Sequence, residues 1–329
     1  MKPRFTRFPL LLLLTLASAQ AIAQTPAVVP GRDGWLFLGA ELRHLQAGPF
    51  WAEHAETAAQ ATAPEAKDPE AAIVDLAGAL KAHGVELIFV PVPPKAVVMA
   101  DKLAEPGKPG DGGQHQQAFY ARLREKGVNV VDLTAALIAA RSNDTVGVYC
   151  RQDAHWSPAG IDVAAREIAA AIQKSGAAAA SAAPGDYTAE PAEITLTGDL
   201  WTMAGDAKVE KEKIRIGTVK KAGAAPVSDE SSPVLLLGDS HTLFLSAGGD
   251  MQAAGAGLPE HLAKALGMPV EVIGVKGSGA GPSRVTFARK AFTKPGWLAG
   301  KKVVVYCLAS RELTEATGVA WKKIPLKTK

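Results

Sequence analysis

Residues 233–242 read Pro233-Val234-Leu235-Leu236-Leu237-Gly238-Asp239-Ser240-His241-Thr242. Four apolar residues with no polar partner between them describe a short strand buried inside a sheet. Gly238 and the small polar residues after it form a tight turn from that strand into a helix, which lifts a serine hydroxyl to the rim of the sheet. Ser240 then stands at a helix start, where backbone N–H groups favour developing negative charge. On their own, the same letters equally describe Asp239 or Ser240 as a simple helix cap.

Strands of the same kind recur on both sides. Val85 to Val92 is a β-branched and apolar run closed by Pro93-Pro94, and Val128 to Leu133 follows it. Downstream lie Val270 to Val275 and Val303 to Leu308. Helical patterns separate them, over Ala71 to Ala82, Gln114 to Lys126, Pro158 to Lys174, Leu258 to Leu266 and Arg284 to Phe292. Alternation of strands and helices at this spacing predicts an α/β fold, a three-layer sandwich around a mainly parallel sheet. Ser175 to Pro184 is an Ala, Ser and Gly run of connecting character, and the stretch 175–229 as a whole reads as an irregular insertion. Gly31-Arg32-Asp33-Gly34-Trp35-Leu36-Phe37-Leu38 is a turn followed by a short apolar strand.

The serine needs a base, because a hydroxyl at its free pKa is a weak nucleophile, and the base needs a third group to fix its tautomer. Gln152-Asp153-Ala154-His155-Trp156-Ser157-Pro158 offers both in one loop ahead of a helix. With one residue between them on a turn, the Asp153 carboxylate can meet Nδ1 of His155 and leave Nε2 for the serine. A capping aspartate beside a surface histidine is the plainer reading of that loop. His44, His54, His83, His115 and His261 lack a partnered acid in a site-like turn and read as solvated or half-buried; His241 reads as a supporting residue at most.

Composition narrows the field. Met1 to Ala23 carries Lys2, Arg4 and Arg7, an apolar run and a small-residue end, the pattern of a cleaved secretory signal peptide. The apolar run is too short for a spanning helix, so an uncleaved anchor is the lesser reading. Removing those three basic residues from the 36 Lys and Arg leaves 33 against 33 Asp and Glu, an electrically neutral chain. Such a chain has little means of releasing counterions from a phosphate backbone, which argues against nucleic acid as a partner. With 47% hydrophobic but only 6% aromatic residues, Ala, Val and Leu must fill the core. Cys150 and Cys307 are open to two readings, one disulfide in an oxidising compartment or two buried thiols. Metal-ligand spacing is absent, and no cofactor is expected.

Gly238-Asp239-Ser240 resembles the nucleophile block of the SGNH hydrolases, and Asp153-Ala154-His155 resembles their acid and base block. The order is reversed, because those enzymes place the serine first. Leu87 to Pro94 looks like the fourth strand of that fold and Val128 to Leu133 like the fifth, which implies a circularly permuted sheet. Together with Gly31 to Phe37 and Pro91-Val92-Pro93-Pro94-Lys95, this order resembles the AlgJ/AlgX type of alginate O-acetylation proteins.

The resemblance implies a periplasmic O-acetyltransferase acting on an exopolysaccharide, with Ser240 as nucleophile, His155 as general base and Asp153 as its orienting acid. It further implies a polysaccharide acceptor and an acetyl donor supplied by a membrane-bound O-acyltransferase. A catalytic domain spanning 24–329, without the C-terminal carbohydrate-binding module of the AlgX branch, is the expected organisation. The third-block asparagine of SGNH enzymes is missing, since Ala309-Ser310-Arg311-Glu312 follows the last strand. Oxyanion donors are therefore sought in the Ser240 N–H and in Gly277-Ser278-Gly279, naming Gly277 and Gly279, with Arg284 and Arg311 either as oxyanion or substrate-carboxylate residues or as ordinary surface arginines.

Overall fold

The structure, a computed structural model, describes residues 25–141, 147–177, 186–277 and 279–326. The signal segment Met1 to Ala23 lies outside the described residues. In chain order, a short antiparallel pair, β1 (Val28–Pro30) and β2 (Leu36–Leu38), precedes helices α1 (Gly39–Gln46) and α2 (Pro69–Ala82). Strand β3 (Glu86–Val92), helix α3 (Gln114–Glu125), strand β4 (Asn129–Val130) and helix α4 (Pro158–Ser175) come next. Strands β5 (Tyr187–Thr195) and β6 (Lys213–Lys221) form a second antiparallel ribbon with helix α5 (Asp199–Ala204) between them. The last third runs β7 (Val234–Gly238), α6 (Leu258–Leu266), β8 (Glu271–Gly274), α7 (Ala280–Thr293) and β9 (Val303–Ala309).

Local chemistry sets the helix ends. Asp68 caps α2 by accepting the Glu70 N–H, and Pro69 fills the first position, where a missing N–H does no harm. Ser157 caps α4 through its hydroxyl to Gly160 N–H, Pro158 opens the helix, and Gly176 closes it at φ +68°.

Five parallel strands form the central sheet in the order β4-β3-β9-β7-β8. Alternate residues face opposite layers. Ile88, Val90, Leu236, Val303 and Val305 pack under α4 and α6, whereas Leu87, Phe89, Leu235, Val304 and Tyr306 pack under α2, α3 and α7. Both faces being covered explains why these strands are continuously apolar. Pro91 is tolerated in β3 because its missing N–H falls on the side of β4, which by then has ended.

Counted from β7, the strand order becomes second, first, third, fourth, fifth, the doubly wound order of a permuted chain. The switch point lies between β7 and β9, and Ser240 follows β7 at its carboxyl end. That is where ligands meet open α/β sheets.

The stretch expected to be irregular is corrected by the β5–β6 ribbon and α5. In β6, Ile214, Ile216 and Val219 turn inward, an alternation present in Lys213-Ile214-Arg215-Ile216. Strand β5 buries only Tyr187, so its polar sequence carries no periodic signal. Part of the 175–184 connection lies outside the described residues.

Leu236 is fully buried in the middle of β7. Leu236→Ala is expected to cost about 2–5 kcal/mol in urea unfolding, whereas Val227→Ala, at a residue 78% exposed, should leave stability within about 0.5 kcal/mol.

Candidate active site

The turn after β7 is built around Asp239. Its Oδ1 accepts the His241 N–H at 2.9 Å and its Oδ2 accepts the Ala309 N–H at 2.7 Å, so one buried carboxylate ties the end of β7 to the end of β9. Burial opposes its charge, yet His241, Arg311 and these N–H groups hold the carboxyl down to about 2. Gly238 has no room for a side chain, because a Cβ there would lie 1.9 Å from the Cys307 carbonyl oxygen. Ser240, directly after Asp239, opens a single 3₁₀ turn over Ser240–Thr242.

The candidate acid and base come from residues 149–157. Tyr149 and Trp156 pair as an antiparallel bridge, and the Cys150 N–H donates to the His155 carbonyl, closing a loop with Asp153 and His155 at its tip. Asp153 Oδ1 lies 2.6 Å from His155 Nδ1 and also accepts the His155 N–H at 2.9 Å. His155 Nε2 lies 2.8 Å from Ser240 Oγ, with both side chains buried. Phe244 stacks on the imidazole at 4.7 Å with planes 8° apart. Burial works against the imidazolium, but the Asp153 carboxylate outweighs it and raises the pKa of His155. Burial likewise works against the Asp153 charge, and His155 with two N–H donors brings that carboxyl down to about 2.

Two groups outside the sequence-based expectation hold this loop directly, and a third braces the turn that carries one of them. The Asp199 N–H donates to Asp153 Oδ2 at 3.0 Å, and the Asp199 carboxylate accepts the Ala154 N–H at 2.8 Å. Glu212 Oε2 accepts the N–H groups of Arg151 and Gln152. Gln252, at φ +74°, bridges both backbone groups of Thr197 with its side-chain amide. Asp199 opens α5 and Glu212 stands just before β6, both between the two ribbon strands in a stretch without periodic signal, so no motif announced them.

His241, expected as at most a supporting residue, packs its ring 4.6 Å from that of His155 and edge-on to Trp156. Its Nδ1 is 3.3 Å from Asp239 Oδ1. Burial first, then His155 and Arg311, lower its pKa to about 4 against the pull of Asp239. His44, expected to be solvated or half-buried, is fully enclosed. Its Nδ1 lies 2.8 Å from Thr314 Oγ1, and burial lowers its pKa to about 3.

The remaining candidates divide. Gly279 packs directly on the nucleophile turn, since a Cβ there would lie 2.5 Å from Asp239 Cβ. Gly277 sits at φ +80° beside it, and Ser278 lies outside the described residues. Arg311 follows β9, its Nη1 3.9 Å from Glu41 Oε1 and without a hydrogen-bond partner among the described residues. It is close enough for its charge to bear on both His155 and Asp239. Arg284 is not at the site: it donates to the carbonyls of Ala320 and Lys322 and lies against the Trp321 ring, clamping the segment after β9. Cys150 and Cys307 are free and buried, so the disulfide reading gives way to two thiols acting as small apolar residues.

A serine, histidine and aspartate in hydrogen-bond series at the carboxyl edge of a doubly wound parallel sheet define an SGNH-like α/β protein. Residues 28–296 match the family described as "SGNH hydrolase-like domain, acetyltransferase AlgX", and the chain belongs to that family. A curated relative from Pseudomonas putida, "Probable alginate O-acetylase AlgJ", is 30% identical over 240 residues, 66% of this chain and 55% of the relative. The relative of the same description from Pseudomonas aeruginosa is 28% identical over 149 residues, 45% of this chain and 34% of the relative. The chain thus spans about a third to a half of the length of these curated relatives. Among solved structures, the O-acetyltransferase domain of Pseudomonas putida AlgJ is similar with a TM-score of 0.65 at 24% identity, covering 88% of this chain and 92% of that one. Pseudomonas aeruginosa AlgX is similar with a TM-score of 0.60 at 17% identity, covering 89% and 63%. These two likenesses carry the fold.

His44 and His241 make stability depend on acidity. Both are neutral in the fold with pKa values of about 3 and 4, below the ordinary 6.5 they regain on unfolding. The unfolded chain therefore binds more protons as pH falls from 6.5 towards 4, and stability falls over that window. Urea midpoints measured across it should drop with acid, and His44→Asn should flatten the slope.

Proposed function

We propose that this chain is a periplasmic O-acetyltransferase that passes acetyl groups to an exopolysaccharide such as alginate through an acetyl-serine. The observation that carries this reading is the unbroken series from Asp153 Oδ1 to His155 Nδ1 at 2.6 Å and from His155 Nε2 to Ser240 Oγ at 2.8 Å. Membership of an acetyltransferase family selects the group transferred. The names of the relatives point to alginate as the acceptor class.

His155 Nε2 takes the Ser240 hydroxyl proton as Oγ attacks the acetyl carbonyl carbon. The carbonyl π pair moves onto oxygen, then returns to expel the donor's oxygen, which leaves with the proton from His155. A sugar hydroxyl repeats the cycle in reverse: its proton passes to His155, its oxygen takes the acetyl group, and Ser240 Oγ is reprotonated. Asp153 keeps the imidazole in the tautomer with Nε2 free and stabilises the imidazolium formed at each transfer.

The oxyanion is received by the Ser240 N–H and by an N–H of the loop 277–279. Each such donor is worth on the order of 3 kcal/mol in the transition state. Arg311, the cation beside the acid–base pair, serves the oxyanion or a carboxylate of the polymer. A membrane-bound O-acyltransferase supplies the acetyl group. The secretory pattern at Met1 to Ala23 sends the chain to the periplasm, and no helix among the described residues is long and apolar enough to cross a membrane.

Purified protein given an activated acetyl ester, with and without mannuronate oligosaccharide, tests the reading. Acetylated sugar and a trapped acetyl-Ser240 peptide by mass spectrometry are expected, with both lost in Ser240→Ala. Free acetate alone would make the protein an esterase, and undiminished acetyl release by Ser240→Ala would make it a polysaccharide-binding accessory. Asp153→Asn should lower kcat on the order of 10³–10⁴-fold. It should also move the acidic limb of the kcat/KM profile to lower pH, since the Asp153 charge is what raises His155.

A further inference from the structure

Lys95 is one of the largest fully buried side chains, at 0% exposure, and the catalytic series does not use it. It follows the double proline at the end of β3, in a segment 95–98 that forms a single helical turn. An ammonium has three N–H donors, and here all three go to backbone carbonyls. Nζ donates to Leu36 O at 2.6 Å, Arg151 O at 3.0 Å and Asp153 O at 3.1 Å. Two of those acceptors belong to the acid–base loop and the third to β2. The rings of Trp35 and Phe37 wall the charge at 5.1 and 5.4 Å. The Lys95 N–H is itself held by Glu41 Oε2 at 3.2 Å.

Taking an ammonium out of water is costly even where acceptors meet it, so a fold seeking stability alone would place an apolar residue here. The charge sits instead where the peptide carrying Asp153 must be fixed. The Asp153 carbonyl and carboxylate belong to one residue, and turning that peptide would swing the carboxylate away from His155 Nδ1. Lysine suits the task better than arginine, because three carbonyls converging on a point match a compact ammonium and not a planar fork.

We propose that Lys95 is a positioning residue for the catalytic pair, its ammonium locking the Asp153 peptide so that the carboxylate orients His155 towards Ser240. Trp35, Phe37 and Leu36 form the chamber that holds it. The three separated motifs at Gly31–Phe37, Pro91–Lys95 and Gln152–Trp156 are thereby parts of one device. The inference rests on the triad reading for its catalytic consequence, and the bond it governs can be read without catalysis.

The test is Lys95→Met, of similar length and without donors, in the full chain. The downfield proton of the short His155–Asp153 hydrogen bond is followed by NMR, beside acetyl-ester kinetics. Expected is a shifted or lost resonance in folded protein and a kcat lower by at least about tenfold, with KM changed less than about twofold. Lys95→Arg should restore activity only in part. An unchanged resonance, or activity falling only in proportion to unfolded protein, would reduce Lys95 to a packing role. Loss of the resonance with Ser240→Ala still fully active would instead sink the triad reading and leave this one standing.

Should Lys95→Met fail to fold, the wild-type protein decides. The groups facing Lys95 are Glu41, Cys150, Asp153 and Glu212, and burial first lowers its own pKa to about 8 against their pull. Deprotonation of His155 speeds Ser240 acylation by a fluorophosphonate as pH rises, whereas neutralising Lys95 should slow it. Acylation is expected to decline on the alkaline side with the midpoint reported by the ¹³Cε resonance of Lys95. A flat rate through that midpoint would overturn the proposal.

Discussion

The hydrogen bond between His155 Nε2 and Ser240 Oγ joins two stretches 85 residues apart, and much of the fold serves to keep those 2.8 Å closed. Neither partner is on a long regular element. Ser240 sits on a single turn, held by an Asp239 carboxylate that bridges the ends of two adjacent strands. His155 sits on a loop whose every neighbour is fastened elsewhere. Lys95 takes the carbonyls, Glu212 takes the N–H groups of Arg151 and Gln152, and Asp199 takes Asp153 Oδ2 and the Ala154 N–H. A loop with so many fixed backbone groups behaves as a rigid support, which a serine–histidine contact needs to stay within reacting geometry.

The electrostatics follow from enclosure. In a buried site, unpaired charge is penalised and paired charge is strengthened. Asp153 and Asp239 remain carboxylates near 2 because each gathers several N–H donors and a histidine. His155 and His241, 4.6 Å apart, diverge: the first is raised by its acid, whereas burial keeps the second down to about 4. Only one of the two rings can thus accept a proton near neutrality, which is what a general base beside a serine requires. His241 stands as a neutral wall, and in the proposed mechanism the charge formed in transfer is confined to the ring that touches Ser240.

What the sequence made legible was whatever repeats or clusters. Val234–Gly238 and Val303–Ala309 are apolar throughout because helices cover both faces, so their runs stood out and their bounds fell within a residue of expectation. Asp153, His155 and Ser240 were legible because nucleophilic chemistry requires those types and the strand ends place them. Legibility failed where contact is made by backbone or by isolated polar residues. Asp199 and Glu212 are isolated acids in the connection between β5 and β6, outside any apolar run, so nothing in their spacing marked them. Arg284 carried a charge near the right strand, but its guanidinium is spent on two carbonyls of the closing segment. No spacing rule could have told it from Arg311, whose charge bears on His155 and Asp239 instead.

Permutation of the chain decides which segments support the acid–base loop. Counted from β7, the sheet has the ordinary doubly wound order, yet the acid–base loop precedes the serine and leads by way of α4 into the β5–β6 ribbon. That connection lets the segment between the base and the nucleophile fold back over the loop it has just left, bringing Asp199 and Glu212 to Asp153 and Gln152. The short strand β2 reaches the same loop from the other side, its Leu36 N–H on the Arg151 carbonyl. The acid–base loop is therefore gripped between a segment that precedes the sheet and one inserted within it, while the serine is fixed by the sheet itself. Separating the two supports lets the ribbon vary in sequence and contour, provided Asp199 and Glu212 still reach the loop, without disturbing the strand ends that position Ser240.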